Sequence, residues 1–235
     1  MSGVEDLPPA EQKPIRITAD MLEPPRRVDT RVDFERGMSY APPATLLLIV
    51  ALGAIFAWQL STGALLSREG IVAAGALVRD EVARGEWWRI LSATVLHGNL
   101  EHLVGNAISL YILGMACEHG YGTRRMLGIY VTAGIAGSLC SVALSPGPSV
   151  GASGAIFGLM GAVMVLFWKH HQELLVRDKR IGVVIAAWAM FTVATGLMTP
   201  MIDNAAHMGG LLGGMAAAWG VRPRILERRV VYLGR

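Results

Sequence analysis

The sequence predicts an all-α fold, a polytopic membrane bundle of six transmembrane helices, on three observations. Hydrophobic residues make up 53% of the chain and charged residues only 17%, and the mean hydropathy of +0.45 is high for a protein dissolved in water. Charge is also absent over long stretches, because no Asp, Glu, Lys or Arg occurs from Gly37 to Ser67 or from Met126 to Trp168. Gaps of that length cross hydrocarbon, which takes about 20 apolar residues per helix. A helix satisfies its own backbone groups in lipid, and no alternating pattern of about ten residues suggests a barrel.

Residues 1–42 are proline-rich and carry charges of both signs, so they lack the apolar content of a core and are expected to form a flexible tail. A charged, proline-broken stretch of this kind is not a secretory signal. The membrane domain is expected over 43–221, with spans at about 43–62, 100–117, 125–145, 150–168, 181–199 and 203–221. Residues 222–235 form a basic tail. The longest connection, 63–99, carries Trp87-Trp88-Arg89, an amphipathic cluster suited to the membrane interface, and is expected to lie partly embedded.

Basic residues set the orientation. Arg124 and Arg125 follow the second span, Lys169, Arg177, Lys179 and Arg180 the fourth, and Arg222, Arg224, Arg228 and Arg229 the sixth, whereas 146–149 and 200–202 have none. The positive-inside rule then puts both termini in the cytoplasm. Four arginines in the 63–99 loop are balanced by four acids. The net charge of +3 thus reports membrane orientation, and no nucleic-acid partner is expected. Cys117 and Cys140 both lie in apolar sequence and read as packing residues, without a disulfide framework.

Polar residues inside apolar spans are the candidates for chemistry. His102 and Asn106, four apart, share one face of the second span, and His97 just precedes it. The fourth span opens on Gly151-Ala152-Ser153-Gly154, and the sixth carries Asp203, Asn204 and His207. Ser153 is five residues past Pro148 and His207 seven past Pro200, about 7–8 Å and about 10 Å at helical rise, so both fall in a shallow layer near the outer face. Gly154, Gly158 and Gly161 face Gly210 and Gly214 in the small-xxx-small pattern of close helix contacts, which lets a Ser and a His on different helices meet. Ser153 then offers a hydroxyl and His207 a base. Candidate oxyanion donors are the Ser153 N–H, the His102 ring and the Asn106 amide. Asp203, four residues before His207, either orients the imidazole or caps the helix.

Taken singly, a Ser in a Gly-rich helix packs and a buried Asn bridges helices; together at one depth these residues describe a site. They also resemble the rhomboid family of intramembrane serine proteases. The matching elements are Trp88-Arg89, the run His97, His102, Asn106, the motif Gly151-Ala152-Ser153-Gly154, and Ala206-His207 with Gly210 and Gly214; Gly114, Glu118 and Gly122 resemble a fifth. The resemblance implies a Ser153–His207 dyad, His102 and Asn106 lining the oxyanion site, and Phe157 as the aromatic packing on the catalytic ring. It implies structural roles for Trp88, Arg89 and Glu118. Transmembrane proteins in the bilayer are the implied substrates. No cofactor and no metal are expected: His97 and His102 are five apart and turn away from each other on a helix, and there is no HExxH pair. The expected location is a bacterial inner membrane, with the site opening outward. A catalytically silent relative that binds client helices is the alternative, disfavoured by the presence of both Ser153 and His207. Oligomeric state is left open.

Overall fold

The computed structural model describes residues 31–145, 147–177 and 202–227, together with Val183, Val184, Ala187, Trp188, Met190, Phe191, Ala194 and Thr195. Among the described residues, three helices are long and apolar enough to cross a membrane: α1 (Pro43–Ser61), with α2 (Arg68–Ala73), α3 (Arg79–Ala83) and α4 (Arg89–Ser92) following in the long connection, then α5 (Leu100–Tyr121) and α6 (Thr123–Leu144). The apolar helices α7 (Ser153–Lys169) and α8 (Asn204–Trp219) and the short α9 (Arg224–Glu227) follow. Five of the six expected spans thus coincide with helices. Most of the fifth, 181–199, lies outside the described residues, although the eight described there are helical. Among these, the Trp188 indole N–H donates to Ser109 Oγ on α5 at 3.0 Å.

The helix α7 forms the centre. Leu159, Ala162 and Leu166 are fully buried, and α6, α8 and α5 pack around it. A helix wrapped by protein need not match the bilayer thickness, which is why α7 is only 17 residues long. Its start is set by Gly151, whose φ of +132° is a conformation that side chains avoid.

The ends of the helices are tied by named side chains. Buried Glu118 accepts from Ala44 N (3.1 Å), Thr45 N (3.0 Å), Thr45 Oγ1 (2.9 Å) and Thr123 Oγ1 (2.8 Å). One carboxylate thereby caps the start of α1, where Pro43 leaves no N–H to satisfy, and holds the start of α6. Glu118→Ala is expected to lower stability by about 2–4 kcal/mol, since it orphans these donors. Thermal unfolding in detergent measures it, and an unchanged midpoint contradicts it.

The 63–99 connection is built around Arg89. Its guanidinium donates to Glu86 Oε2 (2.6 Å) and to the carbonyls of Val72 (2.6 Å) and Ala76 (2.9 Å), and lies 4.7 Å from the Trp88 ring centroid. Trp87, Trp88 and Leu91 keep large apolar surfaces exposed, as the expected interfacial placement requires.

A correction concerns the tail expected over 1–42. Residues 31–42 are described and are structured: β1 (Val32–Asp33) pairs in parallel with β2 (Leu174–Leu175), and Phe34 is fully buried, edge-on to Phe167 and His119. Arg177 Nε meets Asp33 Oδ2 at 2.8 Å. The physical reason is a single large apolar residue. Phe34 packs between the C-terminal ends of α5 and α7, against His119 and Phe167, a contact that the composition of the surrounding stretch conceals.

Candidate active site

The first turns of α5, α7 and α8 meet at one end of the bundle. Asn99 caps α5 by accepting from His102 N–H at 2.8 Å, and Asp203 caps α8 by accepting from Ala206 N–H at 3.0 Å. Ser153 is the first residue of α7, so its N–H has no acceptor within its own helix.

Ser153 Oγ and His207 Nε2 are 2.9 Å apart. The His207 ring stacks on Phe157, with centroids 4.2 Å apart and planes 8° from parallel. Phe157 is one turn after Ser153, so a single helix presents both the hydroxyl and the plate that orients the imidazole. Glycine makes the approach possible. A Cβ on Gly210 lies 2.0 Å from the Gly154 carbonyl oxygen, and one on Gly214 lies 2.2 Å from that of Gly158. The expected facing stripes are therefore in backbone contact, and any side chain there forces the helices apart.

The polar face of α5 completes the cluster. Asn106 Nδ2 is 2.9 Å from His97 Nε2; an amide nitrogen only donates, so the His97 ring accepts there and is neutral. The His97 and His102 rings meet edge to face at 5.2 Å. A Cβ on Gly151 lies 2.8 Å from His102 Nε2 and 3.6 Å from Asn106 Nδ2, which puts both nitrogens beside the Gly151 backbone, two residues before Ser153. Ser153, His207, His102, Asn106, Phe157, His97, Gly151 and Gly210 thus form one contiguous group. Trp88, Arg89 and Glu118 lie outside it; Arg89 and Glu118 hydrogen-bond across neighbouring elements. Among the described residues, no group of three or more His, Cys, Asp or Glu side chains is arranged to hold a metal.

Asp203 lies beside the cluster with its hydrogen bonds directed elsewhere. Its carboxylate accepts from Ser141, Ser145 and Ala206, with the Ser149 hydroxyl also turned toward it, and from neither ring nitrogen of His207. Sequence reasoning passed over Ser141 and Ser145, and also Gln59, which is fully buried and pairs with the His97 backbone in both directions at 3.0 Å. Gln59 had a readable signal, as a strong polar side chain within an uncharged span. The serines had none, since a hydroxyl in a membrane helix ordinarily bonds its own backbone.

A family model described as "Rhomboid domain" matches residues 84–224. Rhomboid protease GluP of Bacillus subtilis (strain 168) is 40% identical over 177 residues, covering 75% of this chain and 34% of GluP. RHOMBOID-like protein 5 of Arabidopsis thaliana is 39% identical over 146 residues, 60% of this chain and 46% of that protein. Rhomboid protease AarA of Providencia stuartii is 31% identical over 197 residues, 72% of this chain and 69% of AarA. The matched region spans less than half the length of GluP and of RHOMBOID-like protein 5. A helical bundle with apolar spans and a match across 84–224 together make this an integral membrane protein that belongs to the rhomboid family.

Proposed function

We propose that this chain is an intramembrane serine endopeptidase that hydrolyses peptide bonds in or near transmembrane segments of other membrane proteins. The observation that carries the reading is the Ser153 Oγ to His207 Nε2 distance of 2.9 Å, on a ring already stacked against Phe157. Relatives named as rhomboid proteases support the same class.

In the proposed reaction neutral His207 accepts the Ser153 proton at Nε2 as Oγ attacks the scissile carbonyl, then returns it to the leaving amine. Water hydrolyses the acyl-enzyme with the same imidazole as base. The charge that develops on the carbonyl oxygen is met by the Ser153 N–H with the His102 ring and the Asn106 amide, both beside Gly151. A helical substrate hides its carbonyl carbons, so the cut segment must unwind, and small or helix-breaking residues favour cleavage. The membrane spans lie within 43–221, both termini are cytoplasmic, and the site opens to the outer side of a bacterial inner membrane.

Incubation of the purified full chain with a panel of model transmembrane substrates, with cut sites mapped by mass spectrometry, tests the reading. Cleavage that depends on Ser153 and falls within or beside the apolar segment is the expected result. A chain that binds such segments without cutting any of them points instead to a catalytically silent escort.

The donors on α5 carry a further prediction. His102→Ala and Asn106→Ala are each expected to lower kcat by about 100- to 1000-fold, the range for loss of one oxyanion donor, with smaller changes in KM. Asn106→Ala also releases His97 from its bond, so the larger effect is expected there. Unaltered turnover in both variants removes α5 from the proposed chemistry.

A further inference from the structure

Asp203 joins two helices at the level of the proposed dyad. Its Oδ1 accepts from Ala206 N–H at 3.0 Å, capping α8, and from Ser145 Oγ at 2.5 Å, while Oδ2 accepts from Ser141 Oγ. Ser141 and Ser145 are one turn apart at the end of α6. A single carboxylate thus ties the last turn of α6 to the first turn of α8, the turn that carries His207, whose N–H donates to the Asp203 carbonyl at 3.2 Å.

The α6 end is itself anchored. Arg79 on α3 donates to the Val142 carbonyl at 2.5 Å and the Ser145 carbonyl at 3.2 Å, and Ser138 Oγ donates to the Ile90 carbonyl at 2.9 Å. The frame that Asp203 grips is therefore held by the 63–99 connection and not only by helix packing. A carboxylate suits this place better than an amide. Each of its oxygens takes a serine hydroxyl and one still caps the helix, whereas Asn offers one acceptor oxygen and turns two donors toward the second serine.

We propose that Asp203 is the positioning residue for His207: by clamping Ser141 and Ser145 it sets the depth and rotation at which α8 presents the imidazole to Ser153. It acts through the helix and not as a third member of the site, because its hydrogen bonds go to the serines and the cap. This rests on the Ser153–His207 reading above.

The test uses the full chain in detergent with Asp203→Asn, Ser145→Ala and Ser145→Thr. It reads kcat and KM on a transmembrane substrate, the rate of Ser153 labelling by a fluorophosphonate, and the unfolding midpoint. Asp203→Asn is expected to lower kcat and labelling by about 10- to 100-fold with little change in KM, the scale of a misplacement near 1 Å. Ser145→Ala is expected to lower kcat by a smaller factor at nearly unchanged midpoint, and Ser145→Thr, which keeps the hydroxyl, restores it. Should Asp203→Asn fail to fold, the two Ser145 variants decide alone.

Three results overturn the proposal. One is wild-type kcat in both Asp203→Asn and Ser145→Ala, and another is a Ser145→Thr no better than Ser145→Ala. The third is a loss of about 10⁴-fold in Asp203→Asn with Ser145→Ala intact, which marks a direct triad role. Labelling that persists in Ser153→Ala defeats the dyad reading itself, whereas labelling that needs Ser153 and His207 but not Asp203 defeats only the present inference.

Discussion

Ser153→Ala and His207→Ala are each expected to abolish substrate cleavage, lowering kcat by at least about 10³-fold, because each removes one half of a proton-transfer pair that works only as a unit. The double variant is expected to be no worse than either single one, since the second change removes a group that no longer has a partner. Folding is expected to survive. Among the described residues, Ser153 makes one side-chain hydrogen bond, to His207, and a bond of that kind contributes about 1 kcal/mol net. Phe157 keeps its place in the core of α7 in both variants. Initial-rate measurements beside thermal unfolding separate the two effects. Full turnover in either folded variant rules out the proposed nucleophile or base.

The second large effect is steric. Gly210→Val is expected to lower activity by about 100-fold or more and to destabilise the protein by about 1–3 kcal/mol. The nearest atom to the new Cβ is the Gly154 carbonyl oxygen at 2.0 Å, part of the α7 backbone and unable to turn aside. The helices must then separate by about 1 Å or more to restore a normal contact, and that opens the bond between Ser153 and His207, which lie at the same end of the two helices. Gly128→Ala on α6 is the control, because a Cβ there meets nothing within 4 Å and is expected to change neither property. Equal behaviour of Gly210→Val and Gly128→Ala contradicts the close-contact account.

Much of the architecture was legible because lipid imposes a simple code. The uncharged runs from Gly37 to Ser67 and from Met126 to Trp168 predict helices, and α1, α6 and α7 fall on them. The polar exceptions His102, Asn106, Ser153 and His207 stand out for the same reason, and the structure gathers them. Spacing alone misleads at His97 and His102. Five residues apart on one helix they diverge, yet the rings touch, because α5 begins only at Leu100 and His97 returns from the preceding turn.

What the linear order of residues cannot convey is which distant groups become partners. Glu118 meets Thr45, Gln59 meets the backbone of His97, Asp203 meets Ser141 and Ser145, and Phe34 inserts beside Phe167. Each of these pairings depends on how closely and at what angle two helices or strands cross. Burial and periodicity act along one element at a time and set that element's length, depth and faces. Crossing geometry is settled by side-chain volumes on both partners at once, here by the absence of a side chain at Gly210 and Gly214. The candidate groups and their common depth were therefore readable from the chain, whereas the 2.9 Å contact between Ser153 and His207 and the separate engagement of Asp203 came only with the packed bundle.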